Sequence, residues 1–454
     1  MTLVLPSTPL TAQTAEGHWP SPVSAWYGVS VLTFAALVAI LDRQVLSLLV
    51  DPIRATLGLT DLQIGVLQGP AFMISYTVVG LLFGWMIDRT HRLRLVTAGI
   101  VTWTFGTIAC GLAGSYQEMI IARALVGFGE AVLSPATVSL LADYFSPTRR
   151  AMAMSVQGTA AMCGTGLSLM AAGAVMVTSG SLPPIVIEGL PTIEGWRLVF
   201  IACAVPGVMA AIMSATAREP NRHAAQDSGS ELNLLAFIKI ARSWLLCYFA
   251  AVCLIATITY AFINWVPSLM IRRYSWAAED VGFTIGLLFL ILGPIGVLTG
   301  GYLTQMRQRR GEVDAAPRSL RIGVLMVAIA IVSLVLPWPS WAVVLPIAVA
   351  IFSISLLPSV AIIAVQQATP NHMRGQVAAI YFVTTNLIGS SIGPVATGVL
   401  TQYLFKDPSD INLSLAAIAI VVTPLILIAL SLSMAPYRAL VTRISPLQAP
   451  AAIG

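Results

Sequence analysis

Runs of about 20 apolar residues recur along the whole chain, and a helix of that length crosses about 30 Å of hydrocarbon. Twelve such runs can be laid out, from Trp26–Val50 through Leu62–Met86 and Met119–Tyr144 to Leu413–Leu432. Stretches such as LMVAIAIVSLVL (325–336) do not alternate apolar and polar residues, so they are not the strands of a membrane barrel. Charged residues make up only 9% of the 454 positions, where a water-facing domain carries about 25%. The fold class that follows is an all-α membrane protein of twelve transmembrane helices.

Arginine and lysine give the orientation. Seventeen of the 24 fall in the even-numbered loops and beside the termini, among them Arg89, Arg92, Arg149, Arg150, Arg310 and Arg438. Five fall in the odd loops: Arg54, Arg197, Arg272, Arg273 and Lys406. Positive charge stays cytoplasmic, so both termini are expected there, in the cell inner membrane. The net charge of +5 therefore reports topology and not nucleic-acid binding. The two remaining cations, Arg43 and Arg123, lie inside spans.

The polar stretch TAREPNRHAAQDSGSELN (216–233) divides the chain. Residues 1–25 are expected to be a loose tail without a signal peptide, 26–215 a six-helix bundle, 216–241 a cytoplasmic linker, 242–434 a second bundle and 435–454 a tail. A weak repeat relates the bundles: GWMIDRTHRLR closes span two and GGYLTQMRQRR closes span eight. Two pseudo-symmetric halves enclose a cleft, and transporter sites lie in such clefts near mid-bilayer.

The chemistry of an enzyme is hard to place. His18, His91, His223 and His372 sit in tails or loops, and no HExxH or Gly-x4-Gly-Lys-Ser/Thr pattern occurs. No metal and no cofactor is expected, and no direct drive by ATP. The five cysteines fall in or beside apolar runs, away from any oxidising loop.

Asp42, Arg43, Arg123 and Glu130 are ionisable groups inside apolar spans. Each costs about 2.5–3.5 kcal/mol at mid-membrane on insertion scales, and together they sum to zero charge. Arg123 and Glu130 share a helix face about 10 Å apart along the axis, too far for an ideal pair, so a group from another span is expected between them. A buried carboxylate binds protons more or less tightly as a neighbouring Arg leaves or approaches. Glu130 is thus read as a proton site with Asp42 as its partner, Arg123 and Arg43 completing it. Arg123 can also hold a substrate carboxylate or phosphate bidentately. The alternative is a static ion-pair network that fixes helix packing. Asp143, at the exit of the same span, reads equally well as a solvated helix end.

These residues carry a resemblance. GWMIDRTHRLR (84–94) resembles the Gly-x3-Asp-Arg-x2-Arg loop of major facilitator transporters, with His91 where a glycine is often found. IARALVGFGEA (121–131) resembles their fourth-span pattern. LDRQVLSLL (41–49), LADYFSPTRR (141–150) and GWRLVFIACAVPG (195–207) are similar to the spinster-like branch. The resemblance implies a cytoplasmic gate made by Gly84, Asp88, Arg89 and Arg92, with Asp88 facing the start of span eleven near Gly375 or pairing with Arg149 or Arg150. It also implies an amphiphilic cargo, since eukaryotic spinster relatives move lysophospholipids and sphingosine-1-phosphate. Drug/proton antiporters usually carry a Gly-Pro pattern in span five, whereas this one reads GTAAMCGTGLS (158–168), without proline.

Polar groups in otherwise apolar spans are the substrate candidates: Gln68, Gln157, Tyr260, Asn264, Tyr381 and Asn386. The expected function is secondary transport by alternating access, driven by protons, of an amphiphilic lysolipid-like or organic-anion substrate by a monomer in the bilayer. The alternatives are a drug/proton exporter and a receptor-like membrane protein on the same fold.

Overall fold

The computed structural model describes residues 19–87, 89–180, 184–186, 191–222 and 234–448. Among these, twelve helices are long and apolar enough to cross a membrane: α1 (Pro22–Leu48), α2 (Asp61–Ile87), α3 (Arg92–Leu112), α4 (Tyr116–Tyr144), α5 (Met152–Thr178), α6 (Gly195–Thr216), α7 (Leu234–Tyr274), α8 (Ala278–Arg309), α9 (Ala315–Ser333), α10 (Val344–Gln367), α11 (Arg374–Phe405) and α12 (Ile411–Arg443). Their starts follow local chemistry. Ser21 caps α1 with Pro22 at its first position, Thr60 and Gln63 form a capping box on α2, and Ser115 caps α4. Such side chains satisfy backbone N–H groups left without partners at a helix start.

Several boundaries differ from the sequence expectation. The helix of α7 begins at Leu234, so 234–241 belong to a helix and not to the linker. The last helix runs from Ile411 to Gln448, so most of 435–454 is helical as well. Span two is not continuous. It breaks at Gly69 (φ −116°, ψ −93°) between Asp61–Gln68 and Pro70–Ile87, because Pro70 has no N–H to give to the preceding turn. Span four breaks after Glu130, at Ala131 and Val132. Residues 223–233 of the linker and Asp88 lie outside the described residues.

Each half is assembled from the same pairs. In the first half α1 packs on α5, α2 and α3 on α4, and α3 on α6; six helices later, α7 packs on α11, α8 and α9 on α10, and α9 on α12. The halves meet along α5–α8 and α2–α11, again related by a shift of six. Small residues make this contact possible. A Cβ on Gly166 would stand 2.5 Å from the Gly286 carbonyl oxygen, and one on Gly398 would stand 2.3 Å from that of Asp61. Trp103, Trp244 and Trp265 fill the interior, while Leu81, Trp85, Phe105, Leu246 and Leu298 lie on the outside, as a surface that meets hydrocarbon requires.

The two ends of the molecule differ. At the end away from the termini, hereafter the far end, Arg272 in the last turn of α7 donates to Asp51 (2.6 Å), Asp61 (3.0 Å) and the Pro408 carbonyl (3.2 Å). Asp51 and Asp61 belong to the first half, so this arginine joins the halves. Leu62 N donates to Gln402 of α11 at 3.2 Å. At the end carrying the termini, a Cβ added to Gly84, Gly158 or Gly375 would meet nothing within 4 Å. Among the described residues, the halves are sealed at the far end and splayed at the other.

Candidate functional site

The four intramembrane charges converge inside the first half, but not in the expected pairing. Arg43 Nε and Nη2 both reach Glu130 Oε2 at 2.7 Å. The Arg43 guanidinium lies over the stacked rings of Phe72 and Tyr76, 4.8 Å from each centroid, a cation–π arrangement that holds it against α2. Arg123 touches neither carboxylate through a hydrogen bond. It donates to the carbonyls of Leu67 (3.3 Å) and Asp42 (3.2 Å), and it is buried against Phe72. Glu130 therefore makes its direct contact with Arg43, while Asp42 lies within electrostatic reach of Glu130 without bonding it. The cause is rotation along α1: Asp42 and Arg43 are adjacent and point about 100° apart, so only one of them faces α4. Asp42 turns inward toward Thr107 and Cys110 of α3.

Burial divides the cluster. The Glu130 side chain is 0% exposed and the Arg43 side chain 34%, so one partner is sealed and the other opens toward the space between the halves. Glu130 Oε1 and Asp42 Oδ1 have no hydrogen-bond partner, and buried polar atoms left unmatched are uncommon and costly.

Next to this cluster lies a cavity of about 500 Å³, lined by Gln44 and Thr165 from the first half and otherwise by the second half. Of the candidate substrate residues, Tyr260, Tyr381 and Asn386 line it, and the Tyr260 hydroxyl and Asn386 Oδ1 are 2.7 Å apart. Tyr260 lies within electrostatic reach of Arg43. Much of the remaining wall is apolar, including Val252, Ile255, Phe289 and Leu357. Gln68 and Asn264 do other work: Gln68 Nε2 donates to the Asn264 carbonyl at 3.0 Å and ties α2 to α7. Gln157 accepts from Thr33 at 2.9 Å within the first half. Gln44 and Thr165 were not singled out in the sequence; an amide directly after Arg43 was the available signal.

The residues expected to gate are dispersed. Asp88 lies outside the described residues. Arg89 donates back to Trp85 O near the end of α2 and stacks on that indole. Arg150 donates to Ala142 O at 2.6 Å, Arg149 is exposed, and Gly84 faces open space. Arg92, by contrast, is buried and pairs with Asp143 and, at 3.0 Å, with Glu219. Asp143 is thus no solvated helix end: α3, α4 and the exit of α6 are fastened by one arginine within the first half.

A family model described as Major Facilitator Superfamily matches residues 32–394. The chain belongs to the major facilitator superfamily. This member is a multi-pass membrane transporter and not an enzyme, and it is similar to spinster proteins. Protein spinster of Drosophila melanogaster is 24% identical over 300 residues, 63% of this chain and 47% of that protein. An MFS-type efflux pump of Mycolicibacterium smegmatis is 27% identical over 412 residues, 88% of this chain and 90% of the pump. A probable L-galactonate transporter of Escherichia coli is 25% identical over 392 residues, 82% of each. A solved bacterial homolog of the human lysosomal transporter spinster, inward-facing and unoccupied, superposes with a TM-score of 0.77 at 20% identity, over 94% of this chain and 99% of that one, a likeness of fold.

Proposed function

We propose that this transporter works by alternating access, and that proton binding in the Asp42–Arg43–Arg123–Glu130 cluster drives an amphiphile with an anionic head through the central cavity. The observation that carries this reading is the Arg43–Glu130 pair, sealed on the carboxylate side and a third exposed on the guanidinium side. Protonating Glu130 releases Arg43 as a cation toward the cavity, where a substrate phosphate or carboxylate can take it. Tyr260 and Asn386 offer polar contacts beside it, and the apolar wall of the second half suits a hydrocarbon tail. With both termini cytoplasmic, the splayed end faces inward. The protein acts as a monomer in the inner membrane with no cofactor beyond the coupling proton, and the loop from Gly84 to Arg92, with Arg149 and Arg150, closes the splayed end in the opposite state.

Similarity to a probable L-galactonate transporter favours a second reading, a small organic anion, for which Arg43 would serve equally. Export of a drug is the third, in line with the efflux pump. Uptake into proteoliposomes of a lysophospholipid, a hexuronate and a cationic dye, each with and without an imposed pH gradient, tests all three. Gradient-driven lysophospholipid movement is expected; movement of the hexuronate alone or of the dye alone overturns the amphiphile reading. A tag inserted at Ser228 is expected to be shielded in right-side-out vesicles, and its exposure would reverse the orientation.

A further inference from the structure

The two pieces of α2, both part of the first half, are seated against different halves of the molecule. The far-end piece, Asp61–Gln68, is seated on the second half. A Cβ on Gly65 would stand 2.6 Å from the Pro394 carbonyl oxygen, and one on Gly69 would stand 2.3 Å from that of Ser390. Asp61 pairs with Arg272, Leu62 N bonds Gln402, and Gln68 bonds the Asn264 carbonyl. The other piece, Pro70–Ile87, is seated on the first half: Phe72 packs against Gly127, and Ser75 donates to Ala124 O at 2.7 Å. The two seats meet at the Gly69–Pro70 break.

The charge cluster grips that break from both sides. Arg123 Nε donates to Leu67 O, two residues before Gly69. The same arginine reaches the Asp42 carbonyl. Arg43, paired with Glu130, stacks on Phe72, two residues after Pro70. The charged and titratable groups around Arg123 are Asp42 and Arg43 of α1, Cys110 of α3 and Glu130 of α4.

We propose that the Gly69–Pro70 break is the relay between the charge cluster and the far-end seal, with Arg123 and Gln68 as positioning residues: Arg123 holds the Leu67 carbonyl, and through it sets whether Gln68 stays on Asn264. A proton taken up by the cluster frees Arg43, alters the pull on Arg123 and so loosens or tightens a seal that no group of the cluster touches. This rests on the proton-driven reading given above.

The test is distance measurement by electron spin resonance on the full chain in nanodiscs across pH, with non-cysteine spin labels at Gly84 and Gly375, which face open space. Two variants report on the relay. Gln68→Leu removes the tie to Asn264, so the terminus-end-open population should fall about two- to twelve-fold, the worth of one hydrogen bond, and its pH response should flatten because the bond through which the cluster acts is gone; a full pH response in this variant would sink the relay. Pro70→Ala restores an N–H for the Val66 carbonyl and lets α2 run straight. Its pH response should flatten, because the two seats can no longer move separately. A parent protein whose distances ignore pH sinks the proton reading and the relay with it. A parent that responds to pH, with Gln68→Leu matching it at every pH, sinks the relay alone, whether or not Pro70→Ala folds.

Discussion

Replacing Glu130 by Gln keeps the shape of the side chain and an acceptor for Arg43 but removes the charge. In the protein two Arg43 nitrogens reach one carboxylate oxygen at 2.7 Å. The exchange turns an ion-paired hydrogen bond into one in which only Arg43 is charged, a loss on the order of 1–3 kcal/mol. If the pair forms in only one of the two states, that moves their ratio by about 5- to 150-fold. The variant should fold, insert and still equilibrate substrate downhill, while accumulation driven by a pH gradient is lost. Proteoliposome uptake under an imposed gradient, alongside thermal stability, reads both. A double-mutant cycle locates the partner: Glu130→Gln with Arg43→Gln should couple by about 0.5–3 kcal/mol, more than Glu130→Gln with Asp42→Asn. Gradient-driven accumulation equal to the parent's, with the same pH dependence, would refute the proton site. Lower stability with unchanged transport per folded molecule would make the cluster a static brace.

Three further outcomes are expected. Arg272→Met removes its ion pairs with Asp51 and Asp61, so labels at Ala55 and Lys406 should move apart in a several-fold larger share of molecules; an unchanged distribution would mean that these pairs do not hold that end closed. Gly127→Ala places a Cβ 2.4 Å from the Phe72 carbonyl oxygen, and forcing α2 from α4 should cost about 1–3 kcal/mol, seen as a lower melting temperature; no change would reveal slack in that contact. Burial pushes the Glu219 carboxyl up, but the N–H groups of Leu93 and Arg92 and the Arg92 guanidinium outweigh it and hold it below the ordinary carboxylate range. A lowered value contributes stability that is full above the ordinary range and lost as pH falls through the lowered one. Glu219→Gln should therefore melt earlier at neutral pH and show a flatter decline in acid, and an identical acid limb would dismiss the contribution.

The class of fold was legible because hydrocarbon imposes length and composition on every span, and neither depends on neighbours. The buried charges were legible for the same reason: an arginine in LDRQVLSLL or RALVGFGEA is conspicuous wherever it points. Their pairing was not. Whether Arg43 or Asp42 faces Glu130 depends on the rotation of α1 and on how closely α2 approaches α4 at Gly127, and both are set by tertiary packing. The break in α2 was carried locally by Gly69 and Pro70, yet proline inside a membrane helix is tolerated elsewhere in this chain, at Pro206, Pro267 and Pro358, so the dipeptide alone did not mark it. Gln68 and Asn264 read as substrate contacts because a polar side chain in an apolar run looks the same whether it faces a cavity or another helix.

The cavity draws almost its whole wall from the second half, while the four charges sit in the first. Selection can therefore act on the two separately. On the proposed reading, a change at Phe289 or Leu357 alters the fit of the cargo's tail, and a change at Glu130 alters how transport is powered. On that reading, a designer wishing to change the tail the protein accepts would rewrite the second-half wall and leave Arg43, which meets the head, in place.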